Sequence, residues 1–152
     1  MGKIEVKEKN HDRKESLLDG VPTHAPALLQ AEKLQKKAAK AGFDWQDQKD
    51  ILSKIREEAD ELQEAMQNAG RDEEAEKRID EELGDLLFAC ANLSRFRKRR
   101  SAEQLLAASS AKFKRRFQYI EKTLASQNRN FEECSLEDLD RIWEEAKKLE
   151  KE

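Results

Sequence analysis

Two short acidic motifs, 24 residues apart, are the part of this chain best suited to chemistry. Residues 55–62 read IREEADEL and residues 79–86 read IDEELGDL, so both follow the pattern I-x-E-E-x-x-[E/D]-L. In an α-helix, residues three and four apart share a face, so each motif places carboxylates side by side next to an apolar stripe. If the two stripes pack together, the carboxylates meet in a small volume and repel one another. A hard divalent cation such as Mg²⁺ would relieve that repulsion.

The paired carboxylates of the two motifs are the first candidate metal ligands: Glu58 with Glu61, and Glu82 with Asp85. A site that offers only oxygen favours Mg²⁺ or Mn²⁺ over zinc or copper. A di-iron carboxylate bundle is the structural rival, but it needs Glu-x-x-His on two helices. The histidines of the chain both precede the motifs, so we set this rival aside.

Basic residues follow the acidic motifs. Residues 57–85 hold 13 acidic and 3 basic residues, whereas residues 95–116 hold 9 basic and 1 acidic. An acidic metal wall beside a basic wall would suit a polyphosphate substrate, and two solvated helix faces are the alternative interpretation. Lys112 and Arg116 are i,i+4 neighbours beside an apolar stripe, where an ammonium and a guanidinium can bind phosphate.

Three further side chains are candidates for substrate contact. Asn92 falls about two turns beyond Asp85 on the same helical face, and its alternative is a surface asparagine. Trp45 and Trp143 could stack on a base, with a place in the core as the alternative. Cys90 lies on an apolar stripe and is expected in the core.

Composition indicates the elements that must position these residues. With 41% charged residues, 5 Gly and 2 Pro, the 152-residue chain reads as nearly all helix. Caps and periodicity predict five helices, at about 26–42, 47–68, from Asp72 to about Arg99, from Ser101 to about Ser126, and from Ser135 to about Lys148. Short loops favour an antiparallel bundle, with residues 1–22 as a polar tail or linker and residues 23–150 as one domain.

Charge and hydropathy exclude several function classes. A net charge of −3 argues against stable nucleic-acid binding, and no apolar run approaches the length of a membrane span. Cys90 and Cys134 show no metal-ligand spacing and no signal peptide precedes them, so we expect no disulfide and a reducing cytoplasm.

Five sequence blocks, in order and in register, resemble the C-terminal domain of MazG-type nucleoside triphosphate pyrophosphohydrolases, within the all-α NTP pyrophosphatase superfamily. They are ALLQAEKLQKKAAKAGFDW, the acidic repeat, EELGDLLFACANLSR, AKFKRRF and DRIWEEAK. The resemblance covers about residues 17–148. It implies a dimeric helical enzyme that uses Mg²⁺ to hydrolyse nucleoside triphosphates to the monophosphate and pyrophosphate.

The resemblance also implies roles for individual residues. Matching the family motifs position by position adds Glu57 and Glu81 to the metal ligands Glu58, Glu61, Glu82 and Asp85, and makes Lys112, Arg116 and Trp143 substrate-binding residues. Ser110 stands where the family commonly has Asn, and the run from Arg97 to Ser101 replaces the usual turn. Family members usually carry two such domains, so either a single-domain form or part of a longer protein fits this chain.

We hypothesise that Mg²⁺ on these carboxylates binds the triphosphate and activates a water for in-line attack on the α-phosphorus. Glu57 or Glu81 would hold a further ion or orient that water, and Lys112 and Arg116 would neutralise the departing pyrophosphate. The alternative is a non-catalytic helical module that dimerises or binds nucleotide. Nothing in the sequence selects the base.

Overall fold

The computed structural model describes residues 16–68, 70 and 72–151, and this part of the chain is built from α-helices. The helices are α1 Ala27–Lys40, α2 Gln48–Asn68, α3 Glu73–Arg97, α4 Ala102–Ser126 and α5 Leu136–Lys151, with a 3₁₀ turn at Phe131–Glu133. The described residues contain no strand, so the predicted all-α class with about five helices is confirmed. Residues 1–15 of the predicted tail lie outside the described residues. None of the described helices is both long and apolar enough to cross a membrane.

Local sequence signals set where the helices begin and end. Asp72 is the N-cap of α3, and its Oδ1 accepts a hydrogen bond from the Ala75 amide at 2.8 Å. Just after α1, Gly42 has a φ of +98°, which glycine adopts without a Cβ penalty. Helix α3 ends at Arg97, two residues before the predicted end, because Lys98 takes the left-handed conformation at φ 58°.

The backbone contacts divide the chain into two compact units, with the boundary between Glu103 and Gln104. In the first unit, α2 and α3 form an antiparallel pair, and α1 packs against α3. Ile51, near the start of α2, lines the same groove as Asn92, near the end of α3. The short connection between Asn68 and Asp72 enforces this antiparallel arrangement.

Side-chain hydrogen bonds and buried residues attach α1 and its flanks to the first unit. Gln35 donates from Nε2 to the backbone carbonyl of Phe88 in α3 at 3.2 Å, and a carboxylate oxygen of Glu32 accepts from the Ala102 amide at 3.1 Å. Val21, within the segment predicted to be a tail, is buried. The domain boundary at residue 22 stays a prediction.

The packed face of α2 differs from the apolar stripe that the sequence predicts. The buried residues of α2 are Ile51, Glu58 and Ala65, which are spaced seven apart and so share one face. Met66, in the last turns of α2, is 61% exposed, and Cys90, expected in the core, is exposed as well. The prediction for Cys90 is wrong, because the buried face of α3 carries Ala89, Ala91 and Asn92 instead. Glu58 of the first motif lies on the packed face itself.

The second unit begins at Gln104, so it contains all but the first two residues of α4 and the whole of α5. Its core consists of Ile120, Leu124 and Ile142, with Tyr119, Cys134, Leu139 and Trp143 packed against it. At the start of α5, Ser135 and Asp138 form the predicted capping box. The Asp138 amide donates to Ser135 Oγ at 3.1 Å, and the Ser135 amide donates to Asp138 Oδ2 at 3.2 Å. Hydrogen bonds from the backbone and side chain of Ser135, and then from Arg129, lower the pKa of the Asp138 carboxyl.

Candidate active site

Three of the motif carboxylates meet between α2 and α3. Glu58 and Glu61 come from α2 and Glu82 comes from α3, and one oxygen of each lies within 4.8 Å of the others. The three-residue spacing of Glu58 and Glu61 turns both toward α3. We call these three residues the carboxylate cluster.

The carboxylate cluster is poorly compensated within the protein. Glu58 is only 6% exposed, and its Oε1 is paired with Lys54 Nζ at 3.0 Å. The other oxygen of Glu58 and the Oε2 of Glu82 are buried with no hydrogen-bond partner among the described residues. The charge of Glu58, then burial and a hydrogen bond to Glu82, raise the pKa of Glu61. The hydrogen bond to Glu58 likewise raises the pKa of Lys54.

This arrangement fits a hard cation. Buried carboxylate oxygens without partners are rare because an unsatisfied charged group in the interior costs free energy. An ion bound among three carboxylates would supply the missing partner and remove their mutual repulsion. The oxygen-only donor set, with no cysteine or histidine in the cluster, suits Mg²⁺ or Mn²⁺.

The other three predicted ligands take different positions. Asp85 is outside the carboxylate cluster but lines one groove together with Glu58. Glu57 is mostly exposed and approaches Lys54 at 3.7 Å. Glu81 is also exposed and lines a separate cleft between the far ends of α2 and α3. A metal-binding role for these three residues stays a prediction.

The groove that includes Glu58 and Asp85 has a volume of about 800 Å³ and is bordered by α1, the α1–α2 connection, α2 and α3. Its apolar wall is formed by aliphatic and aromatic side chains: Leu18, Leu34, Ala38, Phe43, Trp45, Ile51, Phe88 and Ala89. Its polar groups are Gln35, Asp44, Lys54, Glu58, Asp85, Asn92 and Arg95. An apolar concavity with a few convergent polar groups is typical of small-molecule sites. We call it the aromatic groove.

A polar network fixes one end of the aromatic groove. Arg95 donates from both terminal nitrogens to the two carboxylate oxygens of Asp44, one of them at 3.3 Å. Its Nε donates to Asn92 Oδ1 at 3.0 Å, and its guanidinium lies 4.5 Å from the centre of the Phe96 ring. The bidentate pair therefore ties the α1–α2 connection, which carries Asp44 and Trp45, to the end of α3.

The remaining predicted site residues, Lys112, Arg116 and Trp143, belong to the second unit. Arg116 donates from Nε and Nη2 to Glu150 Oε2 at 3.1 and 2.9 Å, which lowers the pKa of Glu150. The same guanidinium lies 5.5 Å from the centre of the Trp143 ring, and Lys112 is exposed. Arg116 and Trp143 are thus brought together, and their action with the carboxylate cluster stays a prediction.

Comparison with known proteins supplies the family. Residues 46–120 match the model of the MazG nucleotide pyrophosphohydrolase domain. The chain carries a MazG domain. It is 35% identical over 147 residues to the nucleoside triphosphate pyrophosphohydrolase of Escherichia coli K12. Those aligned residues are 97% of this chain and 54% of that protein.

Two other relatives align over nearly the whole chain. A Thermotoga maritima protein named nucleoside triphosphate pyrophosphohydrolase/pyrophosphatase MazG is 36% identical over 144 residues, which are 95% of this chain and 52% of that protein. The Bacillus subtilis protein YabN, named as uncharacterized, is 45% identical over 148 residues, which are 97% of this chain and 29% of that protein. The chain thus spans about half the length of the E. coli and T. maritima relatives, and less of YabN.

The structure adds three residues to the candidate site that the motif analysis missed. Lys54 lies four residues before Glu58, so its ion pair has an i,i+4 signal that the sequence does contain. Arg95 and Asp44 are 51 residues apart, and no local pattern links them. Arg95 reads in the sequence as one of several basic residues near a helix end, where a solvated role is the ordinary expectation.

Proposed function

We propose that this chain is a nucleoside triphosphate pyrophosphohydrolase that converts an NTP or dNTP and water to the monophosphate and pyrophosphate. The observation that carries the proposal is the carboxylate cluster, whose buried and unpartnered oxygens belong to a MazG domain and adjoin the aromatic groove. Glu58 is common to the cluster and the groove, so a cation and an apolar ligand would be held side by side. The names of the E. coli and T. maritima relatives support the same activity.

In this proposal, Glu58, Glu61 and Glu82 hold a divalent cation, Mg²⁺ or alternatively Mn²⁺. When bound, such an ion neutralises phosphate charge and lowers the pKa of water. Asp85 faces the groove next to this cluster, where it can share the ion or accept a proton from the attacking water. Glu57 and Glu81 are the candidates for a further ion or for orienting the water.

Cationic side chains would bind the polyphosphate in the proposed reaction. Water adds to the α-phosphorus, the bond from that phosphorus to the bridging oxygen breaks, and pyrophosphate leaves with the electron pair. Lys54, already positioned by Glu58, would contact a phosphate oxygen once a cation neutralises its partner. Lys112 and Arg116 would stabilise the charge on the pyrophosphate, and Trp143 would pack against the nucleotide.

We further propose that residues 23–150 act as one catalytic domain and that the chain assembles as a homodimer or higher homo-oligomer. Large apolar side chains support assembly, since Leu87 of α3 and Leu106 and Phe113 of α4 are each more than half exposed. Light scattering coupled to size-exclusion chromatography measures the mass directly, and a monomer at micromolar concentration would contradict this part. A cytoplasmic location is also part of the proposal.

Product analysis in ¹⁸O-labelled water tests the proposed reaction. The purified chain is incubated with a mixture of ordinary and deoxy NTPs, with Mg²⁺ or with EDTA, and the products are resolved by mass. The proposal requires Mg²⁺-dependent formation of monophosphate and pyrophosphate, with ¹⁸O in the monophosphate because attack is at the α-phosphorus. Label in the pyrophosphate would instead place the attack at the β-phosphorus.

Two variants connect the reaction to the site. Asp85→Asn and Glu58→Ala should each abolish turnover, while helical circular dichroism is retained. Asp80→Asn is the matched control, because Asp80 is an exposed carboxylate on the same helix as Asp85 and lies outside the cluster and the groove. Inertness of the folded wild-type chain toward every triphosphate would favour the non-catalytic binding module.

A further inference from the structure

Asn92 presents an oriented hydrogen-bond donor to the aromatic groove. The residue is 7% exposed and lines the groove from α3. Its Oδ1 accepts from Arg95 Nε at 3.0 Å, whereas its Nδ2 has no hydrogen-bond partner in the part of the chain that the structure describes. Because an arginine side chain can only donate, the oxygen of the amide must face Arg95 and the NH₂ group must face away from it. Chemistry thus fixes the orientation of this amide.

Arg95 is itself held in place. Its two terminal nitrogens are used by Asp44, and its guanidinium stacks on Phe96 at 4.5 Å. Only 15% of the Arg95 side chain and 30% of the Asp44 side chain are exposed, so solvent competes weakly for these bonds. Asp44, Arg95 and Asn92 therefore form a relay of three side chains that ends in a preoriented NH₂ group.

Because Arg95 already fixes the amide, its NH₂ group can donate to a ligand atom in the groove without first being oriented. The groove offers Trp45 and Phe88 as apolar contacts and about 800 Å³ of space, which suits a base with its sugar. At its other side lie Lys54, Glu58 and Asp85, where the proposed function places phosphate and metal.

We propose that Asn92 is a specificity-determining residue whose Nδ2 donates a hydrogen bond to an oxygen of the nucleoside, and that Arg95 and Asp44 are its positioning residues. The acceptor is either a sugar oxygen or a base carbonyl, which have the same hydrogen-bonding chemistry. This inference rests on the proposed function, because it takes the ligand of the groove to be a nucleotide. A site that donates to an oxygen discriminates against ligands that lack it.

Binding of nucleoside monophosphates tests this inference without any turnover. Affinities are measured by calorimetry in Mg²⁺ for the wild-type chain, Asn92→Asp and Asn92→Leu, with inorganic tripolyphosphate as a ligand that has no nucleoside. Asn92→Asp keeps an oxygen for Arg95 and loses the donor, whereas Asn92→Leu loses both the donor and the acceptor without adding charge. Asn68→Asp, at an exposed residue of α2, is the matched control.

We expect both Asn92 variants to weaken monophosphate binding by about tenfold more than tripolyphosphate binding. In the wild-type chain, the ¹⁵N side-chain amide signals of Asn92 should shift on addition of a monophosphate and not on addition of tripolyphosphate. Equal losses for both ligands, or unchanged monophosphate affinity in both variants, would overturn the inference.

A ligand panel identifies the acceptor. If the acceptor is a sugar hydroxyl, Asn92→Asp should not weaken the binding of 2′,3′-dideoxynucleotides. If the acceptor is a base carbonyl, Asn92→Asp should not weaken the binding of adenine nucleotides but should weaken the binding of hypoxanthine nucleotides. A loss common to all nucleotides assigns the ring oxygen of the sugar. Arg95→Met should reproduce the loss and displace the Asn92 amide signals in the ligand-free chain, and Arg95→Lys should recover part of the affinity.

The two proposals fail separately in this design. A chain that binds monophosphates through Asn92 but hydrolyses no triphosphate would leave this inference standing and remove the proposed function. If the chain releases pyrophosphate from triphosphates and both Asn92 variants keep full nucleotide affinity, the proposed function stands and the inference about Asn92 falls.

Discussion

Replacing Glu82 with glutamine should change the stability of this chain in opposite directions without and with Mg²⁺. Without metal, the variant loses repulsion, since the ligand oxygens of Glu58 and Glu82 lie within 4.8 Å of each other. Two unit charges at that distance repel by about 3.5 kcal/mol at an effective dielectric constant of about 20. Glu82 is partly exposed and Lys54 offsets part of the Glu58 charge, so we expect a net stabilisation of about 1 kcal/mol.

With Mg²⁺ the order should reverse. At a concentration about 100 times the Kd, the wild-type chain gains about 2.7 kcal/mol, because the ion binds only the folded state. For a chain of this size, that gain raises the Tm by roughly 5–11 °C. If losing the Glu82 ligand weakens Mg²⁺ binding about 100-fold, the variant gains only about 0.4 kcal/mol at the same concentration.

Thermal unfolding followed by far-UV circular dichroism measures both effects. The wild-type chain and Glu82→Gln are melted over a MgCl₂ series, with NaCl series of matched ionic strength to remove screening. Asp60→Asn serves as the control, because Asp60 is an exposed acid on α2 outside the carboxylate cluster. A Glu82→Gln variant that is destabilised without metal, or that keeps the wild-type gain from Mg²⁺, would refute the reasoning.

Three further predictions concern the second unit. Leu124→Ala should lower the free energy of unfolding by about 2–5 kcal/mol, because Leu124 lies in the core and is 2% exposed. A loss below about 1 kcal/mol in denaturant titrations would contradict this packing. Glu150→Gln should lower the KM for triphosphate several-fold, because Arg116 is released from its carboxylate partner. A raised KM in steady-state kinetics would show instead that Glu150 positions Arg116. Asp138→Asn should lower the free energy of unfolding at neutral pH. The folded-state pKa of Asp138 lies below its ordinary value of 3.8, so this loss of stability should shrink as the pH falls through the folded-state pKa. Urea melts of both chains between pH 7 and pH 2 would reveal a pH-independent difference if the capping interaction contributes nothing.

Much of the fold could be predicted from the sequence because it depends on neighbours along the chain. The Asp72 cap, the Ser135–Asp138 capping box and the left-handed glycine after α1 each involve residues within a few positions of one another. The paired acidic motifs are equally local, and their spacing predicted the region in which the carboxylate cluster lies. The left-handed Lys98 and the 3₁₀ turn had no comparable signal.

The sequence by itself determined the helices, their order and a set of candidate metal-binding carboxylates, because helix caps and periodicity act over a few residues. Only the tertiary structure decided which members of that set meet. The packing of α2 against α3 buries Glu58 beside Glu82 and leaves Glu57 exposed, and this packing brings together residues that are distant in sequence. Contacts between residues distant in sequence, such as the pair of Asp44 with Arg95, have no local signal, since they exist only once the chain has packed.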